Sequence, residues 1–448
     1  MRVKASKGKT IVEVVKGGLC TGCGTCVGIC PVDAIEMVIE HKKGIYIPQL
    51  DEEKCNQCGL CFEVCPGHAV DFKQLNLEIF GKEPQDVLLG NYINCYAGHA
   101  TDYDIRYNSA SGGLVTALLI YALEERMIDG ALVTRMKNDK PLEPEPFIAR
   151  TKDEIIEAAK SKYCPVPANI ALKEILKAKD GERFAVVGLP CHIHGIRKAG
   201  TASKRLKEKV VLHLGLFCNH VPNFWGTKLL LQKLEVNDGE IVKLDYRGEG
   251  WPGYMKISKR DGEILLPDYW SFIGSYFFFP PRCLMCGDAA NELSDISFGD
   301  AWLPELADDK IGKSTVISRS ETGKRVLQAM KSKSKTELTE LSVKKVIQSH
   351  IGVLYLKKKS LNARNKLFKV MPEYNMQNMD LDPDIMDRLL ALFPYLNSLA
   401  GSKASLRKIL PHVPSKLIWL YDIPYAVISS RKAKQSFKKL SKSPPPTP

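Results

Sequence analysis

Two short cysteine runs constrain this chain more than anything else in it. The first is Cys20-x-x-Cys23-x-x-Cys26-x-x-x-Cys30-Pro31; the second is Cys55-x-x-Cys58-x-x-Cys61-x-x-x-Cys65-Pro66. Three thiols so close together demand a tight loop, and soft sulfur ligands suit iron–sulfur clusters. The spacing is that of bacterial ferredoxins, in which the fourth cysteine of each run serves the other cluster. The expected ligand sets are therefore Cys20, Cys23, Cys26 and Cys65 for one 4Fe–4S cluster, and Cys55, Cys58, Cys61 and Cys30 for the second. The fourth cysteine is expected to open a short helix. Gly22, Gly24 and Gly59 should keep the loops small and leave amides free for sulfur. The competing reading is a pair of zinc sites, because Cys-x-x-Cys pairs also bind zinc. Zinc closes on four ligands, whereas each run adds a third cysteine and then Cys-Pro.

The setting agrees with redox use. A chain of 448 residues has room for two or three domains. Its start, MRVKASKGKT, is basic but leads into IVEVVKGG rather than an export signal, and no apolar run approaches the ~20 residues of a spanning helix. Fourteen cysteines in such a chain argue for metal or redox chemistry over disulfides, and for a cytoplasmic location. The net charge of +13 is concentrated at one end. Residues 401–448 hold ten Lys/Arg against the single acid Asp422, which is +9 of the total. The rest is only mildly basic, which excludes a nucleic-acid-binding face running through the protein.

Beyond the cysteine runs, residues 73–107 read as a glycine-punctuated connector. Asn108-Ser109-Ala110-Ser111-Gly112-Gly113 then precedes LVTALLIYALEERM, apolar nearly all round and so a buried helix. A Ser/Gly cluster before a buried helix is either an anion site or a plain N-cap with a flexible turn. Strands at 131–136, 183–191 and 210–218 alternate with helices at 151–160 and 169–179, the pattern of an α/β unit with a substantially parallel sheet. Cys191 and Cys218 fall at the carboxyl ends of these strands, the edge where such sheets bind ligands. Cys283-Leu284-Met285-Cys286 has metal-type spacing, and with the strand-end pair it offers four thiols for a third cluster. Cys95 and Cys164 read as ordinary small residues.

Several segments in one order resemble a known family: Asn108–Gly130, VVGLPCHIHGIRKAG, Gly215-Leu216-Phe217-Cys218, Arg247-Gly248-x-Gly250-Trp251-Pro252-Gly253, and Arg282-Cys283-x-x-Cys286-x-Asp288 leading to Asp295-Ile296-Ser297-Phe298-Gly299-Asp300-Ala301-Trp302. Together they are similar to the coenzyme F420 hydrogenase/dehydrogenase beta-subunit family, over about residues 75–330. Members with an N-terminal two-cluster ferredoxin domain look like the electron-input subunit of the F420 dehydrogenase of methanogens and related archaea. The resemblance implies FAD, with its phosphates near Asn108, Ser109, Ser111, Gly112, Gly113 and Thr116, and a flavin contact from Lys162. It also implies a third 4Fe–4S cluster on Cys191, Cys218, Cys283 and Cys286. The implied activity is oxidation of reduced coenzyme F420 by hydride transfer to FAD, with single electrons leaving through the clusters to an acceptor protein or membrane-bound dehydrogenase complex. FAD is needed because deazaflavin gives up hydride and clusters take one electron each. No side chain is singled out as an acid or base.

The architecture expected is α+β: a ferredoxin-like domain (1–75), an α/β flavin-binding domain (76–330) and a mainly helical C-terminal extension with a basic tail (331–448). His192 and His194 read equally as cluster or flavin neighbours and as structural residues, and His213 as a core residue. Tyr276–Phe279 reads as core or subunit contact, Trp251 as a ring-stacking candidate. In the tail, Trp419, Tyr421 and Tyr425 beside many lysines fit either peripheral attachment to the inner face of an anionic membrane or packing on the chain itself, with the proline-rich last six residues disordered. Two other functions use the same features: a flavin/iron–sulfur reductase of a different small molecule, and a carrier with no organic substrate. The carrier reading leaves the ~250 residues around the anion-site motif without a purpose.

Overall fold

The computed structural model describes residues 8–267, 275–376 and 382–440, with side chains to 438. The last six residues and their expected disorder lie outside the described residues. The two cysteine runs fold as the repeat predicts, with one correction. Short helices Thr25–Ile29 and Leu60–Glu63 follow the glycine after the second cysteine of each run, and Cys30 and Cys65 come after them. The fourth cysteine therefore closes a helix instead of opening one. Gly24 (φ 81°) and Gly59 (φ 76°) precede these helices in the left-handed conformation that glycine adopts without strain. Strands β1 (Ile35–Glu40) and β2 (Ile45–Leu50) form a hairpin between the runs, and β3 (Ala69–Asp71) follows the second.

Strands β4 (Asn94–Ala100), β5 (Gly130–Met136), β6 (Pro144–Ala149), β7 (Phe184–Gly188) and β8 (Val210–Leu216) enter a large sheet. The chain then makes a separate antiparallel sheet from β9 (Ile241–Asp245), β10 (Met255–Lys259) and β11 (Gly262–Leu266). It returns with β12 (Ile296–Asp300), β13 (Ser314–Ser318) and β14 (Thr336–Glu340), giving the order β14-β4-β13-β12-β8-β7-β5-β6. Only the pairs β12–β8, β8–β7 and β7–β5 are parallel. The other four are antiparallel, so the sheet is mixed rather than substantially parallel.

Period-two alternation sends Ala131, Val133 and Ala185 to one face and Leu132, Phe184 and Val186 to the other. Helices Leu114–Glu124 and Glu321–Ser332 cover the first face. Helices Leu172–Lys177 and Pro190–Ala202 cover the second, joined there by Ile29, Val64 and Val70 of the ferredoxin unit. Leu114–Glu124 is buried along nearly its whole length, as its apolar sequence requires. The supposed connector is mostly structure: helix Phe72–Phe80 and strand β4, which lies inside the sheet between β14 and β13. After β14 the chain is largely helical, but β15 (Glu373–Asn375) runs back to pair with β3. The ferredoxin unit is thus held between the large sheet and the C-terminal segment.

Candidate electron-transfer centre

Three groups of four thiols come together. Cys26 feels Cys23, Cys65 and Cys20 as near neighbours, and burial followed by their charge pushes its thiol well up. Cys61 is pushed up to about 11 by burial and by Cys58, Cys30 and Cys55. Cys191 is raised by burial and then by Cys23, Cys218, Cys283 and Cys286. Each group matches a set expected from the sequence. The Cys23 influence on Cys191 adds that the third group lies beside the first. Buried thiolates that oppose one another's ionisation call for a compensating cation.

The loops present amides to sulfur. Gly22 N–H donates to Cys20 Sγ (3.4 Å) and Gly67 N–H to Cys65 Sγ (3.3 Å). Gln57, two residues after Cys55 as Gly22 is after Cys20, takes φ 53° so that its N–H reaches Cys55 Sγ (3.4 Å). In the third group, Cys191 sits in the first turn of Pro190–Ala202 just beyond β7, and Cys218 lies two residues past β8. Cys218 N–H is tied to Ala289 O (2.9 Å), and Lys357 Nζ donates to Cys283 O (3.0 Å).

The junction between the first and third groups is built from residues whose roles the sequence did not disclose. Arg282, beside Cys283, is buried and donates to the carbonyls of Leu19 (2.9 Å), Pro66 (3.3 Å) and Gly67 (2.9 Å) and to Tyr374 Oη (2.6 Å). Leu19 adjoins Cys20, and Pro66 follows Cys65, so one guanidinium spans both thiol groups. Lys198, on the Cys191 helix, donates to the carbonyls of Cys65 (2.9 Å) and Ala69 (2.6 Å). Asn169 joins Thr25 Oγ1 (2.8 Å) to the His192 carbonyl (2.9 Å), and its own N–H donates to Cys23 O (2.9 Å). Gly195 packs so closely on Thr25 that a Cβ there would stand 2.1 Å from the hydroxyl. These partners are separated by up to 263 residues, and no local pattern marks them.

The histidines take structural positions. His192 Nε2 pairs with Val166 O (3.0 Å). His194 Nε2 meets Asp288 Oδ2 (2.8 Å) two residues after Cys286. Burial would raise the Asp288 carboxyl, but the His194 hydrogen bond and nearby positive charge bring it down to about 2. His213 bonds Asp295 inside the core, as expected.

A second locus forms at the same carboxyl edge of the parallel strands. Gly112 N–H donates to Ser314 Oγ (3.0 Å), and Ser111 Oγ pairs with Ser314 Oγ (2.9 Å). Ser109 Oγ donates to Ser111 O (2.9 Å). Arg247, buried, donates to Ala110 O and to Asp300 Oδ2 (3.0 Å). Gly250 N–H reaches Tyr107 O (3.1 Å), Trp251 N–H reaches Lys310 O (2.8 Å), and the Trp251 ring lies 4.6 Å from that of Trp302. Gly113 (φ 71°) opens helix Leu114–Glu124 with no side-chain cap, which leaves first-turn amides, Thr116 among them, without an intrahelical acceptor. Asn108 Nδ2 turns back to Asp104 O (3.1 Å). Lys162 Nζ donates to the carbonyls of Ala158, Ala159 and Lys160, closing the end of helix Lys152–Glu157. Burial lowers its pKa to about 7. Cys95 and Cys164 are plain core residues.

Comparison with known proteins agrees with this layout. Residues 19–69 match the 4Fe-4S dicluster domain. Residues 95–173 and 181–344 match the N-terminal and C-terminal models of the coenzyme F420 hydrogenase/dehydrogenase beta subunit. The coenzyme F420 hydrogenase subunit beta of Methanothermobacter thermautotrophicus is 30% identical over 63% of this chain and 95% of its own length. A subunit of the F(420)H(2) dehydrogenase of Methanosarcina mazei is 26% identical over 70% of this chain and 83% of its own length. The coenzyme F420-dependent sulfite reductase of Methanocaldococcus jannaschii is 29% identical over 73% of this chain but only 48% of that enzyme. A chain of the F420-reducing [NiFe] hydrogenase complex of Methanosarcina barkeri shares the fold, with a TM-score of 0.51 over 65% of this chain and 98% of its own, at 24% identity. With its two-part match and its dicluster unit, the chain belongs to the coenzyme F420 hydrogenase/dehydrogenase beta-subunit family.

Proposed function

We propose that this protein is an electron-input subunit that oxidises reduced coenzyme F420 and passes electrons singly through three 4Fe–4S clusters to a partner subunit or acceptor protein. The observation that carries the reading is the junction at Arg282, where the third thiol group abuts the first, so that the twelve thiols form one connected series. Bound FAD supplies the exchange between hydride and single electrons that clusters cannot perform. Its fit rests on the Ser111–Gly113 turn and the uncapped helix behind it, which offer backbone amides and a positive helix end to a pyrophosphate. The indole Nε1 of Trp251, buried without a hydrogen-bond partner beside this turn, supports a ligand there as well. Arg247 holds the turn in shape through Ala110 and Asp300. The amides around Cys20, Cys55 and Cys65 stabilise negative charge on sulfur and so favour the reduced clusters.

Gly112 is not a clean test of phosphate binding. A Cβ on it would strike Gly98 O at 2.4 Å and Ser314 N at 2.8 Å, so Gly112→Val would disturb the sheet itself. Ser111→Asp is the better variant, because it places a carboxylate against the pyrophosphate without entering the core. Purified anaerobically, it should retain full iron and lose most of its flavin. Full flavin occupancy would remove the turn from the site. On the wild-type chain, iron, flavin and deazaflavin-oxidation assays made on one anaerobic sample test the whole reading.

A further inference from the structure

The two long C-terminal helices are amphipathic the wrong way round for packing on their own protein. Helix Ile385–Gly401 carries Ile385, Leu389, Leu392, Leu396 and Leu399 at spacings of four, three, four and three, the stripe a surface helix normally buries. Here all five are exposed, Ile385 at 76% and Leu389 and Leu396 at 55% each. The face turned inward sets Leu390, Ala391 and Pro394 among small and polar residues. Asn397 Nδ2 donates to Ser275 O (2.8 Å), Ser398 Oγ donates to Phe279 O (2.7 Å), and Asp387 accepts from Tyr355 Oη (2.5 Å). Gly401 lies so close to the Phe277 carbonyl that no side chain would fit. These contacts fix the rotation of the helix, so its leucines cannot turn inward.

Helix Ser415–Leu440 packs on the first through Tyr425 and Tyr421, whose rings stack on Phe393 at 4.4 and 5.2 Å. It too exposes large apolar groups, Leu417, Trp419, Leu420 and Ile428. Between residues 385 and 438 there are nine Lys/Arg and two acids. Asp387 is buried beside Lys359, and Asp422 is half-buried and raised to about 7 by that burial. Every fully exposed charge in this span is therefore positive, including Lys403, Lys408 and Lys416 in and around the turn between the helices. Neither helix is long and apolar enough to cross a membrane.

We propose that this face lies on an anionic lipid bilayer, its leucine stripe entering the acyl boundary while the lysines meet headgroup charge. An apolar face rimmed by cations, with Trp and Tyr among the exposed rings, is the pattern of an in-plane membrane helix. A second copy of the chain is disfavoured by the same charge, because two such faces would bring lysine against lysine. The docking places the electron-transfer chain at a membrane surface whatever its electron donor is.

The test uses the full chain with phosphatidylcholine vesicles, with and without about one third phosphatidylglycerol, at low and high salt. Co-sedimentation with the anionic vesicles at low salt is expected, falling at high salt and on pure phosphatidylcholine. Leu389→Gln/Leu392→Gln/Leu396→Gln should weaken partition about tenfold or more, since three buried leucines are lost. Lys403→Glu/Lys408→Glu/Lys416→Glu should abolish the salt dependence. All six positions are exposed, and circular dichroism and iron content confirm that the variants fold. Wild-type protein left in the supernatant at low salt would overturn the proposal, as would binding unchanged in the leucine variant. So would a concentration-dependent dimer in sedimentation velocity that the leucine variant abolishes, since the face would then join two copies.

Discussion

Cys283→Ser is expected to lose about four of some twelve irons per chain while the two ferredoxin clusters stay in place. Cys283 is held by its loop, by Lys357 at its carbonyl and by the Pro280 carbonyl at its amide, so the serine variant keeps its backbone. Only one soft ligand is exchanged for a hard one. Because the Cys191 group adjoins Cys23 and the proposed path runs through it, reduction of the ferredoxin clusters by reduced coenzyme F420 should fall close to background. Chemical reduction of those clusters should be unaffected. Iron analysis and paramagnetic resonance on the same anaerobic sample check both halves. An unchanged iron content would show that Cys283 is no ligand.

Arg282→Met is the second large effect. The guanidinium is buried and satisfies the carbonyls of Leu19, Pro66 and Gly67 as well as the Tyr374 hydroxyl. Methionine fills similar length but takes this donor from the Leu19 and Gly67 carbonyls and the Tyr374 hydroxyl, Pro66 O keeping only Tyr374 Oη at 3.4 Å, at roughly 1–3 kcal/mol for each acceptor left unsatisfied. Several such losses together approach the whole stability of a small domain, about 5–15 kcal/mol. The ferredoxin loops should therefore loosen from the large sheet: its circular dichroism persists while the signal of the Cys20 cluster broadens or disappears. Electron transfer between the third and first clusters should slow even where iron is retained. Arg282→Lys, which keeps charge but only one donor centre, should restore part of the cluster content and less of the rate. Wild-type cluster content with undiminished internal transfer in Arg282→Met would contradict the bridging role.

How much of this could be read from the residues depends on whether the controlling physics is local. The cysteine runs are local: ligand spacing and the glycine turns are set within a few residues, and both thiol sets follow. Strands β5, β7 and β8 are runs such as ALV and FAVV, whose apolar, β-branched character marks a buried strand directly. Strand β4 is not legible in the sequence, because Asn94-Cys95-Tyr96-Ala97-Gly98-His99-Ala100 has none of that character. It is held by neighbours on both sides, and Gly98 is needed there because a Cβ would meet Glu337 O at 2.5 Å. The alternating segment shows only the parallel centre of the sheet, since antiparallel β13 and β14 lie beyond it. Arg282, Lys198 and Asn169 belong to no motif that spacing can reveal; their roles appear only when distant segments meet. Helix Ile385–Gly401 falls in the extension that reads as mainly helical, but which of its faces is inward is decided by Gly401 and the Phe277 carbonyl, a contact across more than a hundred residues.

The central claim is that one connected path leads from reduced deazaflavin to the ferredoxin clusters within this single chain. The most direct measurement is anaerobic mixing of the full chain, carrying its flavin and clusters, with reduced coenzyme F420 and no other protein present. The visible band of oxidised deazaflavin should appear together with the paramagnetic signals of reduced clusters, two electrons delivered for each coenzyme oxidised. Clusters that dithionite reduces but reduced coenzyme F420 leaves oxidised would contradict the account.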